Sequence, residues 1–269
     1  MAHKLYARQL EHIAVRRHGD SLHLVPTDIL RRAIERAHKN IDRFAEFDVD
    51  VFLLLGMRNL SSFIGELFAA AIVVESGGLF CKNPHQDGYP DLLLMDELGQ
   101  RQWTALRNRL REKAPFSPFL GGGIEVKATC GSVPTPVQCA KLGVEKPDLG
   151  DQRIAIMRAY DWKAHHRETN NLIGILWDFM GGVPRLVAVF YSNSLETEDW
   201  GAIVKPKDGG GRTTSVSIMT RQGIAKMYAG WLFVATDSPY VQFIDRYNRA
   251  STIRDDKGKY EFEIDPGVG

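Results

Sequence analysis

Two short apolar segments of this chain, residues 92–95 (LLLM) and 124–129 (IEVKAT), carry charges in places where a buried strand rarely tolerates them. Asp91 stands directly before the first segment, and Glu125 and Lys127 lie inside the second. Since side chains alternate between the two faces of a strand, Glu125 and Lys127 project to the same side, roughly 7 Å apart. If the two strands pair, Asp91 reaches the same patch, where each unpaired charge would cost several kcal/mol. We therefore expect these three side chains to form a cluster with a chemical role.

A hard divalent cation would balance the two carboxylates of such a cluster. Mg²⁺ is commonly held by one or two carboxylates together with water and substrate phosphate oxygens. Asp91 and Glu125 would supply the carboxylates, and the backbone carbonyl of Val126 is placed to add a third oxygen. Lys127 would then meet a phosphate oxygen or the attacking water as a point charge.

Helices are predicted around these strands without regular alternation of strand and helix, which favours an α/β fold with a central mixed β-sheet flanked by helices. The helix at 59–76 carries Glu66 as the only charge between residues 60 and 74, so Glu66 reaches solvent, caps a neighbour or joins the metal site. No linker interrupts the chain, so we expect a single domain over 1–269. The other predicted elements are helices at 27–46, 101–113, 151–167 and 220–232, a loop at 131–150, and a hairpin of strands at 171–179 and 185–192.

The charge balance and the motifs limit the classes of partner. Lys and Arg number 34 and Asp and Glu 33, which gives a net charge of +1. Any contact with nucleic acid must therefore come from local clustering of basic residues. No G-x-x-x-x-G-K-[ST] motif is present, so we expect no ATP-driven step. The three cysteines have no metal-ligand spacing and no apolar run approaches about 18 residues, which predicts a cytoplasmic protein that does not span a membrane.

Taken in chain order, Glu66, Pro90-Asp91 and Glu125-Val126-Lys127 resemble the signature of the PD-(D/E)XK nuclease superfamily, whose largest group is the type II restriction endonucleases. The resemblance covers about residues 58–192. It implies a restriction-endonuclease-like core, in which a helix with an acidic residue precedes a mixed sheet whose second and third strands carry the D and the ExK, followed by another helix and strand. The 34-residue separation of Asp91 and Glu125 is long for this family and implies an insertion at 97–121 between neighbouring strands.

The resemblance also implies a Mg²⁺-dependent hydrolase that cleaves double-stranded DNA at specific sequences, as a homodimer on a palindromic site. Around the core it leaves an N-terminal helical part at 1–57 and a C-terminal elaboration at 193–269 for recognition and dimerisation. The implied catalytic residues are Asp91, Glu125, Lys127 and Glu66, and the implied metal ligands are Asp91, Glu125, Glu66 and the Val126 carbonyl.

A glycine-rich loop beyond the core supplies candidate DNA contacts. In KPKDGGGRTTS at 205–215, three glycines allow the backbone to approach a groove closely, and basic and hydroxyl side chains flank them. The candidate contact residues are Lys205, Lys207, Arg212, Thr213, Thr214 and Ser215.

Two other functions would use the same residues differently. A repair or junction-resolving nuclease would keep the same four charged side chains but recognise the shape of the DNA instead of its sequence. A non-catalytic nucleic-acid-binding protein would hold the charges as a structural ion pair, and Mg²⁺ would not bind to them.

Overall fold

One large sheet contains most of the strands in this structure, a computed structural model that describes residues 3–17, 19–164, 167–205, 215–247 and 253–264. The strands are β1 (His3–Arg8), β2 (His12–Arg16), β3 (Leu22–Pro26), β4 (Phe80–Lys82), β5 (Leu92–Leu94), β6 (Gly123–Thr129), β7 (Lys163–Ala164), β8 (Leu172–Met180), β9 (Val183–Ser192), β10 (Ser217–Ile218), β11 (Trp231–Ala235) and β12 (Lys259–Ile264). The α-helices are α1 (Thr27–Ala45), α2 (Val51–Glu75), α3 (Glu97–Leu106), α4 (Pro136–Leu142), α5 (Arg221–Ala229) and α6 (Ser238–Tyr247).

The large sheet has eight strands in the order β12-β1-β11-β9-β8-β6-β5-β4. Within it, β6 and β8 run parallel and every other neighbouring pair is antiparallel. Parallel neighbours need a crossover connection, and here α4 lies in the segment that joins β6 to β8. The predicted mixed α/β fold with a central mixed sheet is therefore confirmed.

The antiparallel strands β4, β5 and β6 form one edge of this sheet. Leu92 in β5 pairs with Ile124 in β6, which brings Asp91, just before β5, beside Glu125. On its other side β6 pairs with β8, where Glu125 is opposite Leu172. The two charged segments are neighbours in the sheet, as the sequence predicted.

Helices α1 and α2 pack against each other and against the sheet. The buried residues of α1 recur at helical spacing, and they include Leu30, Ile34 and Ile41. Helix α2 is bent at Gly56, whose φ of 63° lies in the left-handed region that residues with a Cβ rarely adopt. After the bend, α2 packs against β6 so closely that a Cβ on Gly65 would lie 3.8 Å from the Cβ of Ala128. This contact sets Glu66, the next residue of α2, at the edge of the charged cluster.

In the part of the chain that the structure describes, no single helix is long and apolar enough to cross a membrane. The two halves of α2, Val51–Met57 and Asn59–Glu75, meet those criteria only when they are counted together, and they are bent by 112° to one another.

The prediction of a helical N-terminal part at 1–57 is wrong for its first half. Strand β1 lies between β11 and β12 in the large sheet, and β2 pairs with β3 in a separate hairpin. In β1 the buried residues alternate with more exposed ones, as at Leu5 and Ala7, which is the period of a strand. Helix α1 begins only at Thr27 and ends at Ala45, close to the predicted bounds of 27–46.

The predicted helix at 151–167 is also wrong. The buried carboxylate of Asp178 accepts hydrogen bonds from the backbone N–H groups of Arg153 and Ile154, at 2.9 to 3.0 Å. Burial raises the pKa of this carboxyl, and the backbone N–H groups oppose the rise. The Arg158 N–H, which a helix would direct to the Ile154 carbonyl, donates to Ser132 O at 2.8 Å instead, and residues 163–164 pair as β7 with β10.

A short helix lies inside the predicted loop at 131–150. Thr135 caps α4 by accepting from the N–H of Gln138, whose side chain in turn accepts from the Thr135 N–H. Pro136 occupies the first helical turn, where no N–H is needed. The helix ends at Gly143 with a φ of 66°. These capping signals are present in the sequence, although the surrounding Pro and Gly content favours a loop.

Candidate functional site

The side chains of Asp91, Glu125 and Lys127 converge beside the first residue of β5. Lys127 Nζ lies 2.7 Å from Glu125 Oε1 and 3.2 Å from Asp91 Oδ2. One ammonium thus contacts both carboxylates, so the two acids are well within the distance at which they could share an ion. Glu125 is buried, with 4% of its surface exposed, whereas Asp91 and Lys127 are half-buried.

Backbone hydrogen bonds between the two strands hold these carboxylates in place. The Asp91 N–H donates to Glu125 Oε2 at 3.1 Å, and the Val126 N–H donates to Asp91 Oδ2 at 2.9 Å. Each acid is therefore positioned by the backbone of the strand that carries the other. Hydrogen bonds of this kind stabilise the charged form of a carboxylate, which offsets part of the cost of burial.

The backbone carbonyl of Val126 lies beyond the point where the pairing of β5 with β6 ends. The pairs are Leu92 with Ile124 and Leu93 with Gly123, so Val126 has no partner residue in β5. Pro90, which precedes Asp91, has no N–H to donate. The Val126 N–H, which faces the same neighbouring strand as its carbonyl, bonds Asp91. The Val126 oxygen therefore faces the Asp91 side of the cluster.

A buried asparagine keeps the segment before Asp91 in position. The Asn83 side-chain amide donates to the carbonyls of Pro90 and Phe116 at 2.9 and 3.0 Å, and its oxygen accepts from the N–H of His85. A Cβ on Gly88 would lie only 2.3 Å from that oxygen, so the position has room for glycine alone. Asn83 therefore determines the path of the chain into the cluster.

We expect the substitution Asn83→Ala to destabilise the fold by roughly 1–3 kcal/mol, because the Pro90 carbonyl would lose its donor and the Phe116 carbonyl would keep only the Tyr89 N–H. Urea unfolding of the variant beside wild type measures this free energy. Asn59→Ala is the matched control, since the Asn59 amide donates to a carbonyl at an exposed site and its loss should cost well under 1 kcal/mol. Equal unfolding curves for Asn83→Ala and the control would contradict the assigned role.

Glu66 lies on the wall of the same cleft and is not joined to the cluster by a direct contact. Its exposed carboxylate forms an ion pair with Lys82 of β4. A cavity of about 760 Å³ is lined by Glu66 together with Asp91, Glu125 and Lys127. Among the described residues, no group of three His, Cys, Asp or Glu side chains is arranged to hold a metal. The structure thus brings three of the four predicted residues into contact and places the fourth at the edge of their cleft.

Burial and charge oppose each other at the cluster. Burial and the charge of Asp91 raise the pKa of Glu125 to about 7, although Lys127 acts in the other direction. Burial lowers the pKa of Lys127, but the two carboxylates outweigh it and raise the value above the ordinary one. Lys127 therefore stays charged near neutral pH, while Glu125 exchanges a proton there.

The pKa of Glu125 predicts a pH dependence of stability in metal-free protein. Since the pKa of about 7 in the folded protein exceeds the ordinary value of 4.5, the folded state binds the proton more tightly between those limits, and stability falls as pH rises through this window. We expect wild type to lose on the order of 3 kcal/mol relative to Glu125→Gln from pH 4.5 to 7. Urea unfolding in EDTA at several pH values measures the difference. Glu66→Gln replaces an exposed acid of the same cleft, and its stability should depend on pH as that of wild type does. If the stability of Glu125→Gln also depends on pH as that of wild type does, Glu125 is not the titrating group.

Lys82 and Asn83 are the site residues that the sequence analysis missed. Both follow from the antiparallel pairing of β4 with β5, in which Lys82 is opposite Leu92. Had residues 80–94 been predicted as a β-hairpin, Lys82 and Asn83 would have been expected beside Asp91. The segment between β5 and β6 contains α3, in agreement with the predicted insertion at 97–121, although the helix covers Glu97–Leu106 and not 101–113.

The candidate DNA-contact loop is described only at its two ends. Lys205 is exposed and Ser215 is half-buried, whereas Lys207, Arg212, Thr213 and Thr214 lie outside the described residues. Just inside these ends, Val204 and Val216 are joined by backbone hydrogen bonds of 2.8 and 3.1 Å. Ile203, the residue before Val204, lines the cavity of the cluster. The base of the loop is therefore at the rim of the same cleft.

Comparison of the chain with known proteins gave no match, either to a protein-family model, to a curated protein or to a solved structure.

Proposed function

We propose that this chain is a Mg²⁺-dependent endonuclease that hydrolyses phosphodiester bonds of DNA. The observation that carries the proposal is the convergence of Asp91, Glu125 and Lys127 in an open cleft, with the Val126 carbonyl directed at the same point. A purely structural ion pair would need neither a second carboxylate nor a cavity of about 760 Å³ beside it.

The donor set fits a hard divalent cation. Two carboxylates face one ammonium, so the cluster keeps a negative charge once Glu125 is ionised. Within the described part of the chain, Asp91 Oδ1 accepts no hydrogen bond, and the Val126 carbonyl has no partner residue in β5. Asp91, Glu125 and the Val126 carbonyl would hold Mg²⁺ through oxygen atoms, as this ion prefers. Glu66, ion-paired with Lys82, is outside this set.

The chain's own groups have distinct tasks in this reaction. When bound, Mg²⁺ would make a coordinated water more acidic and offset negative charge on the phosphate. Lys127, held between the carboxylates, donates N–H bonds to a phosphate oxygen and stabilises the charge that develops on it. Glu125, which accepts from the Asp91 N–H and contacts Lys127, would hold the cation and keep Lys127 in place beside it. Asp91 and the backbone of Val126 keep the other groups in register.

The order of elements supports the nuclease proposal as well. Helix α2 with Glu66 precedes the antiparallel strands β4, β5 and β6, and α4 and the parallel strand β8 follow. Asp91 borders the second of these three strands, and Glu125 and Lys127 lie in the third. This order is the one that the proposed restriction-endonuclease-like core would have, with α3 inserted between β5 and β6.

We propose double-stranded DNA as the substrate, recognised by sequence, and a homodimer as the acting form, as in type II restriction enzymes. Support for a DNA contact comes from the loop at 205–215, whose base lies at the rim of the cleft. The cluster chemistry is the same for a repair or junction-resolving nuclease, so the substrate form decides between the two.

Digestion of a sequenced plasmid with Mg²⁺ or with EDTA, by wild type and by Lys127→Met, tests the function. Discrete fragments that need both Mg²⁺ and Lys127 are the expected result. Cleavage restricted to branched or damaged DNA would show that the protein recognises the shape of the DNA and not its sequence. No cleavage of any DNA, together with a flat calorimetric titration with Mg²⁺, would leave a non-catalytic nucleic-acid-binding protein.

A further inference from the structure

Buried charges in this fold are matched by partners, with one exception. Among the described residues, the buried Asp, Glu, Lys and Arg side chains are Glu125, Asp178, Asp199 and Arg153. Glu125 and Asp199 each lie against a lysine, and Asp178 accepts three backbone N–H bonds and a tyrosine hydroxyl. Arg153 has no such partner.

The guanidinium of Arg153 is enclosed but not neutralised. Only 8% of the residue is exposed, its Nε is buried without an acceptor, and within the described residues no carboxylate lies within ion-pair distance of it. Its two terminal nitrogens are not among the enclosed atoms, so they reach the surface. Arginine cannot shed its proton in a protein, and an unpaired buried charge is costly. A side chain held in this way is suited to an anion that arrives from solvent.

Arg153 lies at the end of the strand that carries the cluster. The chain that follows it packs against the residues after β6, since the Ser132 N–H donates to Ala159 O at 2.7 Å and the Arg158 N–H to Ser132 O at 2.8 Å. Burial raises the pKa of the Cys130 thiol, and the positive charge of Arg153 opposes this rise, so the guanidinium lies near Cys130. Three residues of strand separate Cys130 from Lys127, which corresponds to about 10 Å.

A second cavity extends from the cluster along the same strand. Ser61, whose side chain interacts with the Cys130 thiol, lines this cavity of about 230 Å³ together with Asp91 and Lys127. The helix residue beside Cys130 therefore belongs to a cavity that reaches the cluster.

We propose that Arg153 is a phosphate-binding residue that holds the DNA backbone beyond the end of β6, at a phosphate other than the one at Lys127. The planar guanidinium can present two parallel N–H groups to phosphate oxygens. A bound phosphate supplies the counter-charge that Arg153 lacks in the free protein, so binding removes the cost of the unpaired charge. This inference rests on the proposed function for the identity of the ligand, and its test does not depend on cleavage.

The variant Arg153→Met, which keeps the apolar stem and removes the charge, tests the proposal. In EDTA, we expect its affinity for a DNA duplex to fall about tenfold at low salt, and the slope of log K against log salt to decrease by about one. In phosphate-free buffer its Tm should equal or exceed that of wild type, because an unpaired buried charge is gone. Inorganic phosphate should raise the Tm of wild type more than that of the variant. The control is Arg109→Met, which removes an exposed arginine paired with Glu112. It should change neither the DNA affinity, nor the salt slope, nor the effect of phosphate on the Tm.

Each outcome decides the assignment. An Arg153→Met protein that folds with a lowered Tm and keeps wild-type DNA affinity would make Arg153 a structural residue and overturn the proposal. If Arg153→Met does not fold, Arg153→Lys decides, because lysine keeps the charge and loses the two parallel N–H groups: weakened DNA affinity in Arg153→Lys would support the proposal, and unchanged affinity would overturn it. Unchanged affinity and salt slope in Arg153→Met, while wild type cleaves DNA, would overturn it and leave the nuclease proposal intact. Weakened DNA binding in Arg153→Met, in a wild-type protein that cleaves nothing, would support the phosphate site and refute the nuclease.

Discussion

The substitution Asp91→Asn is expected to lower the rate of Mg²⁺-dependent DNA cleavage by at least ~10³-fold, which corresponds to about 4 kcal/mol of transition-state stabilisation. The amide oxygen can still accept from the Val126 N–H, as Asp91 Oδ2 does at 2.9 Å, so the local geometry should persist. What is lost is a negative charge that would hold the cation. Single-turnover cleavage of a labelled duplex measures the rate.

The control for this experiment is Asp87→Asn. Asp87 lines the same cavity as Asp91 but is exposed and belongs to no ion pair among the described residues. We expect its rate to stay within about threefold of wild type, since a distant exposed charge is screened by solvent. DNA affinity in EDTA should be unchanged or tighter in both variants, because each removes a negative charge from the cleft. Cleavage by Asp91→Asn within tenfold of wild type would show that Asp91 does not hold the metal.

Lys127→Met is expected to destabilise the metal-free protein by about 3 kcal/mol at pH 8, above the pKa of about 7 at Glu125. Without Lys127 the carboxylates of Asp91 and Glu125 face each other with no cation between them. Mg²⁺ should restore much of this loss, so the ion should raise the Tm of the variant more than that of wild type. Cleavage should fall with the substitution even when Mg²⁺ is saturating, because the phosphate loses its lysine.

Lys82→Met is the matched control for stability. Lys82 pairs with Glu66 at the cleft wall, where both side chains are more than half exposed. The loss of such a pair should cost less than about 1 kcal/mol and should not make stability depend on Mg²⁺. Urea unfolding in EDTA and in Mg²⁺ gives both quantities for the two variants. If Mg²⁺ has no effect on Lys127→Met, the acids of this cluster do not bind the ion.

The two predictions separate the roles within the cluster. Asp91→Asn removes an acid and leaves the ion pair of Lys127 with Glu125, whereas Lys127→Met removes the cation and leaves both acids. A catalytic metal site predicts that both lose cleavage and that only the second gains stability from Mg²⁺. A structural ion pair predicts a stability loss in both and no effect of Mg²⁺ in either.

Local features of the fold could be predicted from the sequence because their physical cause lies within a few residues. The apolar spacing of α1 and the Gly-Gly turn between β8 and β9 depend on neighbours in sequence, and both were predicted close to their observed bounds. The segment at 151–167 has the composition of a helix, but the Arg158 N–H, which a helix would direct to Ile154, bonds the carbonyl of Ser132, which is more than twenty residues away. No local sequence pattern indicates a hydrogen-bond partner so far along the chain.

What the sequence determined by itself was the face that Glu125 and Lys127 share, because the alternation of a strand follows from its backbone geometry. Only the tertiary structure decided that the strands of Asp91 and Glu125 pair and which other groups complete the site. It placed Glu66 with Lys82 at the cleft wall, ended the pairing of β5 with β6 before Val126, and enclosed Arg153 without a counter-charge. These are properties of register and packing between segments far apart in the chain, where the free energy of each contact depends on what the rest of the fold leaves unpaired.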